Sequence, residues 1–171
     1  MRNLPVVGGV LADVRVPAVD GGSVAFGRGE GWRLIVVYRG LHCPLCTTYL
    51  AELERLTPRY AGLGASVVAV SADPKEKAEI SARDGGLTFP VGYGLSVEQM
   101  QALGLYVSLP RSPGETDRPF AEPALFLVRP DQRLQIACVS NAPWARADLS
   151  QIADGLDWIR KNDYPVRGTL A

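Results

Sequence analysis

Arg33-Leu34-Ile35-Val36-Val37-Tyr38-Arg39-Gly40-Leu41-His42-Cys43-Pro44-Leu45-Cys46-Thr47-Thr48-Tyr49-Leu50 is the stretch from which the fold can be read. Leu34 to Tyr38 is an apolar, β-branched run, the pattern of a strand buried on both faces. Leu50, Leu53 and Leu56 then recur at helical spacing. Pro44 suits the first helical position, where its missing N–H costs nothing. Cys43 therefore falls at the helix cap and Cys46 in the first turn, where free backbone N–H groups and the helix dipole favour a thiolate. Two cysteines at this spacing can also close a disulfide within one turn. The arrangement reads as a redox site. Structural zinc needs two more ligands, and the chain offers only His42 and the distant Cys138. A merely buried cysteine pair leaves the helix-cap context unexplained.

The bulk properties narrow the rest. A chain of 171 residues is read as one domain, residues 1–171, burying about 70% of its unfolded surface. Eighteen basic and eighteen acidic residues cancel, with no basic stripe, which excludes nucleic acid as the main partner. No apolar run approaches the ~20 residues of a membrane span. The start, Met1-Arg2-Asn3-Leu4-Pro5-Val6-Val7, has too short an apolar core for a secretory signal. A cytoplasmic location is expected, with the cysteines reduced at rest.

Outward from the cysteine motif, Val14–Val16 and Ser23–Phe26 read as short strands around an Asp20-Gly21-Gly22 turn. The helix is expected over about 44–63, bent or ended in part by Pro58. Ala65 to Ser71 reads as a second parallel-type strand. Asp73 is expected to cap a helix opened by Pro74, with Gly85-Gly86 ending it. Leu87–Val91 reads as strand, and Ser96 as the cap of a helix through Leu103. Pro110 to Pro123 is expected to be a mobile loop insertion. Ala124–Val128 and Leu134–Val139 form a hairpin through Arg129-Pro130-Asp131-Gln132. Asp148 or Ser150 starts a last helix with Ile152, Leu156 and Ile159 on one face, followed by a short packed tail. This order gives an α/β protein with a mixed central sheet flanked by helices on both faces, and the chemistry at the carboxyl end of a central strand.

Over roughly residues 5–165 the chain resembles the thioredoxin-like superfamily, and within it the peroxiredoxin-like alkyl hydroperoxide reductase/thiol-specific antioxidant branch. The resemblance rests on Val37-Tyr-Arg-Gly-Leu-His-Cys43-Pro-Leu-Cys46, Val67-Val-Ala-Val-Ser-Ala-Asp73, Pro123-Ala-Leu-Phe-Leu-Val128, Pro143-Trp-Ala-Arg146 and Asp163-Tyr-Pro-Val-Arg-Gly168. It implies a thioredoxin-like fold and catalytic roles for Cys43 and Cys46, with no metal and no cofactor. In thioredoxin-like reductases the first cysteine attacks and the second resolves. In typical peroxiredoxins the first position is Thr and the second carries the peroxide-attacking thiolate. The peroxiredoxin Arg that assists it falls here at Pro123. Proline at that place is what thioredoxin-like reductases carry beside their disulfide, usually with a cis bond, so Pro123 is expected to bind substrate and Glu122–Pro123 to be cis. Val37 stands where thioredoxins have a buried Asp.

Peroxide reduction needs donors that Thr and Arg supply in the family, so their replacement favours a general thiol–disulfide oxidoreductase cycling Cys43 and Cys46. A thiol peroxidase, with Cys46 peroxidatic and Cys43 resolving, is the alternative; it would need Arg111 or Arg118 as a substitute donor. A redox-sensing binding module is the reading of another class. Electrons would come from a dithiol protein such as a thioredoxin, or from glutathione, and the substrate would be a peroxide or a disulfide. His42, the only histidine, reads as a tuning residue of the loop. Arg39 reads equally as a positive neighbour of the thiolates and as a solvated strand end, Cys138 as a small core residue, and Trp144 and Phe120 as packing or capping groups.

Overall fold

The structure, a computed structural model, describes residues 4–170. Met1 to Asn3, where the segment read against a secretory signal begins, and Ala171 lie outside the described residues.

Strand β3 (Trp32–Val37) is the middle of a five-stranded sheet, and its neighbours follow from its apolarity on both faces. With no polar face to offer water, it must be paired on both edges and covered on both sides. Helix α1 (Pro44–Gly62) carries the chain back to β4 (Ala65–Val70), which pairs parallel with β3 from Trp32↔Ala65 to Val37↔Val70. On the other edge β8 (Ala124–Val128) runs antiparallel, Val37 facing Ala124, and β9 (Leu134–Val139) pairs antiparallel with β8. With β5 (Val91–Gly92) beside β4, the order is β5-β4-β3-β8-β9. Leu34 and Val36 face the core of α1 and the last helix, α4 (Leu149–Asn162), where Leu50, Leu53, Leu56, Tyr60 and Leu156 are buried. Ile35 and Val37 face the opposite core with Phe26, Met100, Leu103 and Phe126. That side is covered by the hairpin of β1 (Arg15–Pro17) and β2 (Ser23–Ala25) and by α3 (Val97–Ala102). The expected mixed sheet with helices on both faces is present. Among the described residues no helix is long and apolar enough to cross a membrane.

The departures from expectation have local causes. Pro58 neither ends nor interrupts α1, because it sits on the exposed face, where the carbonyl left without a donor can turn to water. Helix α2 (Lys75–Asp84) takes Pro74, not Asp73, as its N-cap, and Asp73 turns its carboxylate away to Leu41. Of the 87–91 stretch only Val91 reaches the sheet edge, where Gly92 continues it as β5. The 110–123 insertion folds back on the molecule: β7 (Phe120–Ala121) pairs with β6 (Val107–Ser108), and Glu122, Thr116 and Phe120 are buried. Trp144, expected to pack or cap, is 80% exposed.

The expected cis bond before Pro123 is absent; every peptide bond among the described residues is trans. Glu122 N–H donates to the Tyr106 carbonyl (2.8 Å), and the Pro123 carbonyl accepts from Ser140 N–H (3.0 Å). Both bonds hold residues 120–128 as one extended run from β7 into β8, which a trans bond continues and a cis bond would fold back on itself.

Candidate active site

Cys43 is the N-cap of α1, in extended conformation, with Pro44 at the first helical position. The Cys43 carbonyl accepts from Cys46 N–H (3.0 Å) and Thr47 N–H (3.2 Å), so the helix begins on the cysteine itself. Each cysteine is only 1% exposed. Both thiols, like the half-buried Cys138, are free in this structure.

Two arginines shape the surroundings of the sulfurs, neither from the 110–122 loop. Arg39, directly after β3 and Tyr38, donates its backbone N–H to Cys46 Sγ (3.3 Å). Its side chain is paired with buried Glu122 (3.0 Å) and with Glu115 (3.8 Å), and stacks over Phe120 (4.8 Å to the ring centre). It is thus an enclosed cation beside the thiols rather than a solvated strand end. Arg146 was given no role on sequence grounds. Its Nη2 lies 3.2 Å from Cys46 Sγ and 3.8 Å from Cys43 Sγ. Topology explains how it arrives. Val37, Ala124 and Val139 lie side by side across the sheet, so β9 ends at the same edge as β3 and releases the 140–148 loop over the helix start. Tyr49 of α1 then holds this loop, donating its hydroxyl to the Ala147 carbonyl (2.7 Å) and lying under the Arg146 guanidinium (5.2 Å). Arg111 pairs with Glu115 and Arg118 with Asp117. Neither donates a hydrogen bond to a sulfur.

The two thiols titrate as a pair. The hydrogen bond from the Cys46 thiol pulls Cys43 down to about 5, helped by the Arg39 side chain and the Cys46 backbone N–H and opposed by burial. That same bond, and then burial, push Cys46 up, with Arg146 opposing. The donors nevertheless converge on Cys46, whose sulfur takes both the Arg39 N–H and the closer arm of Arg146. The pair therefore titrates as one acid, losing its first proton early and its second late. The thiolate absorbance of the reduced protein should rise in a first step centred at about 5, and be complete by neutral pH. An unperturbed cysteine would still be titrating near ~8.5. A single step at the ordinary value would remove this electrostatic description.

Neither ring nitrogen of His42 hydrogen-bonds to a sulfur. Burial, then the Arg39 charge, lower its pKa, and the ring packs edge-on against Phe120 (4.7 Å). Pro123 and Cys138 line a groove of about 630 Å³ with Tyr49, Tyr106 and Arg146. Pro123 therefore stands on the Arg146 side of the site, in contact with the groove. Among the described residues no three His, Cys, Asp or Glu side chains converge as metal ligands would.

The model of the AhpC/TSA family matches residues 7–137. No curated protein sequence matches the chain. A cysteine-to-serine mutant of the peroxiredoxin 6 of Arenicola marina superposes with a TM-score of 0.74 at 22% identity, covering 91% of this chain and 74% of that one. AhpC of Mycobacterium bovis gives 0.74 at 16% identity over 99% of both chains. The peroxidoxin BcpB of Mycobacterium tuberculosis gives 0.71 at 18%, over 92% of this chain and 97% of its own. These likenesses establish the thioredoxin-like peroxiredoxin fold. With the family model spanning most of the sequence, the chain belongs to the AhpC/TSA family and is a thiol-dependent oxidoreductase.

Proposed function

We propose that the chain is a thiol peroxidase in which Cys46 attacks the peroxide and Cys43 resolves the product. The observation that carries this reading is the convergence of the Arg39 N–H and the Arg146 guanidinium on Cys46 Sγ. Cys46 holds the sequence position of the family's attacking thiolate. The absence of Arg at 123 weighed against peroxide chemistry, and Arg146 supplies a guanidinium from another loop. Burial supports the same choice. With both cysteines 1% exposed, a peroxide can reach them far more readily than the backbone of a protein disulfide can. The low first pKa at Cys43 favours general disulfide exchange as the second reading.

In the proposed cycle the Cys46 thiolate attacks the terminal peroxide oxygen. The S–O bond forms as the O–O bond breaks, giving a sulfenic acid at Cys46 and an alkoxide or hydroxide. The pair's remaining proton, then on Cys43, passes to that leaving oxygen, so Cys43 becomes the thiolate. It attacks Cys46 Sγ and expels hydroxide, closing the disulfide. An external dithiol, or two molecules of a monothiol such as glutathione, returns both cysteines to the reduced state. Cys43 thus takes over proton donation at the place where the family has Thr.

Stopped-flow mixing of the reduced protein with hydrogen peroxide, an organic hydroperoxide, oxidised glutathione or a protein disulfide tests the assignment. Peroxides are expected to oxidise the pair at least ~10²-fold faster than the disulfides, the scale of one preorganised donor. Faster oxidation by disulfides would restore the exchange reading.

A further inference from the structure

Asp73 has no part in the cycle just described, yet it is 2% exposed and carries a carboxylate. A buried acid normally needs a reason. Capping α2 is not the reason, since Pro74 occupies the cap and α2 has no side-chain cap bond. Its Oδ2 instead accepts the Leu41 N–H at 2.7 Å. Asp73 is itself fixed, with its N–H on Ser71 Oγ (3.2 Å) and its carbonyl on Gly94 N–H (2.8 Å).

The segment it grips is the link between β3 and α1. Gly40 stands at φ 141°, a conformation that favours glycine, and a Cβ there would lie 2.7 Å from Asp73 Oδ1 and 3.0 Å from His42 Nδ1. One residue before Gly40, the Arg39 N–H reaches Cys46 Sγ; the Gly40 carbonyl accepts the Cys43 N–H (3.1 Å). The link therefore aims a donor at one sulfur and fixes the backbone of the other, and Asp73 closes over its middle.

We propose that Asp73 is a positioning residue, which holds the Arg39–His42 link in the shape that delivers the Arg39 N–H to Cys46 and seats Cys43 at the helix cap. This rests on the functional reading above only for what the sulfurs do afterwards. Asp73 works as a hydrogen-bond acceptor rather than as a charge. A negative charge near the pair would raise the thiol pKa, whereas the link it secures lowers it. Lys77, His42 and Arg118 also face Asp73, and Tyr38 lies close on the β3 side. None of these groups is altered in the test.

The test is a thiolate titration by ultraviolet absorbance on reduced full-length protein, with thermal melts to establish folding. Asp73→Ala is expected to raise the first midpoint by about one pH unit, as the loosened link shifts the Arg39 side chain and the helix cap away from Cys43 and the Arg39 N–H away from Cys46. Asp73→Asn keeps an oxygen for Leu41 N–H and should stay close to wild type. Gly40→Ala, which wedges the clamp open from the other side, should reproduce the upward shift and decides the matter if Asp73→Ala does not fold. A midpoint that falls in both Asp73 variants would make the carboxylate a mere repulsive charge. An unchanged midpoint in folded Asp73→Ala or Gly40→Ala would reduce the contact to a structural one. Either result overturns the proposal. Because no peroxide enters the titration, a wild-type protein that fails to reduce peroxide strikes the peroxidase reading and leaves this one standing.

Discussion

Arg146→Gln is expected to slow oxidation of the reduced protein by hydrogen peroxide by about 10²–10³-fold, the usual effect of removing one preorganised donor from a site of developing charge. The substitution takes away the N–H group 3.2 Å from Cys46 Sγ and the positive charge that opposes the upward push on that thiol. Gln is long enough to lie over Tyr49, and the Tyr49 hydroxyl still holds Ala147, so the fold should melt within a few degrees of wild type. Arg111→Gln and Arg118→Gln serve as controls. Their guanidiniums are paired with Glu115 and Asp117 near the surface, and each should retain most of the rate. Rapid-mixing kinetics across the three variants checks the assignment. If Arg146→Gln reacts at the wild-type rate while Arg118→Gln does not, the donor has been placed on the wrong loop.

The second large effect separates the two cysteines. Cys46→Ser is expected to lose peroxide consumption altogether, because no thiolate remains at the sulfur where the donors meet. Cys43→Ser should keep a first oxidation but stop after it. With no neighbouring thiolate to condense, the Cys46 sulfenic acid should persist and progress to the sulfinic form with excess peroxide. The first oxidation in Cys43→Ser should also be slower than in wild type. The leaving oxygen must then be protonated by a hydroxyl, and the helix cap no longer carries the low-pKa thiol. Steady-state turnover with a dithiol reductant, alongside intact-mass measurement, gives both readings. Sustained turnover by Cys46→Ser with Cys43 alone would invert the roles.

What could be read from sequence was what is encoded within a few residues. The buried strand Leu34–Tyr38, the proline at the first helical position and the cysteine at the cap all follow from short-range rules, and the fold was legible through them. Asp73 shows how such a rule fails: Asp-Pro before a helix looks like a cap, but Pro74 takes that place and the carboxylate is committed to Leu41, 32 residues away. Arg146 lies 100 residues from Cys46, and only the pairing of β9 with β8 brings its loop to the end of β3. The late Pro-x-Ala-Arg segment is part of the pattern that resembles the family, but nothing local assigns its arginine to a sulfur. Trp144, two positions earlier, looked like a packing group for its size and is turned to solvent instead. The 110–123 segment looked mobile from its proline and charge. What orders it is pairing beyond its own residues: the 107–108 strand just before it, and the Arg39 side chain far back in the chain, which Glu115 and Glu122 engage from their own side.

The central claim, peroxide attack by Cys46, is most directly tested by chemical trapping. Reduced Cys43→Ser is mixed with one equivalent of hydrogen peroxide in the presence of a sulfenic-acid-specific carbon nucleophile, digested, and the modified residue located by tandem mass spectrometry. The account expects a rapid, near-stoichiometric adduct on Cys46, with Cys138 unmodified and the parallel Cys46→Ser sample showing no adduct on Cys43. An adduct on Cys43 in Cys46→Ser, with Cys46 unmodified in Cys43→Ser, would contradict it.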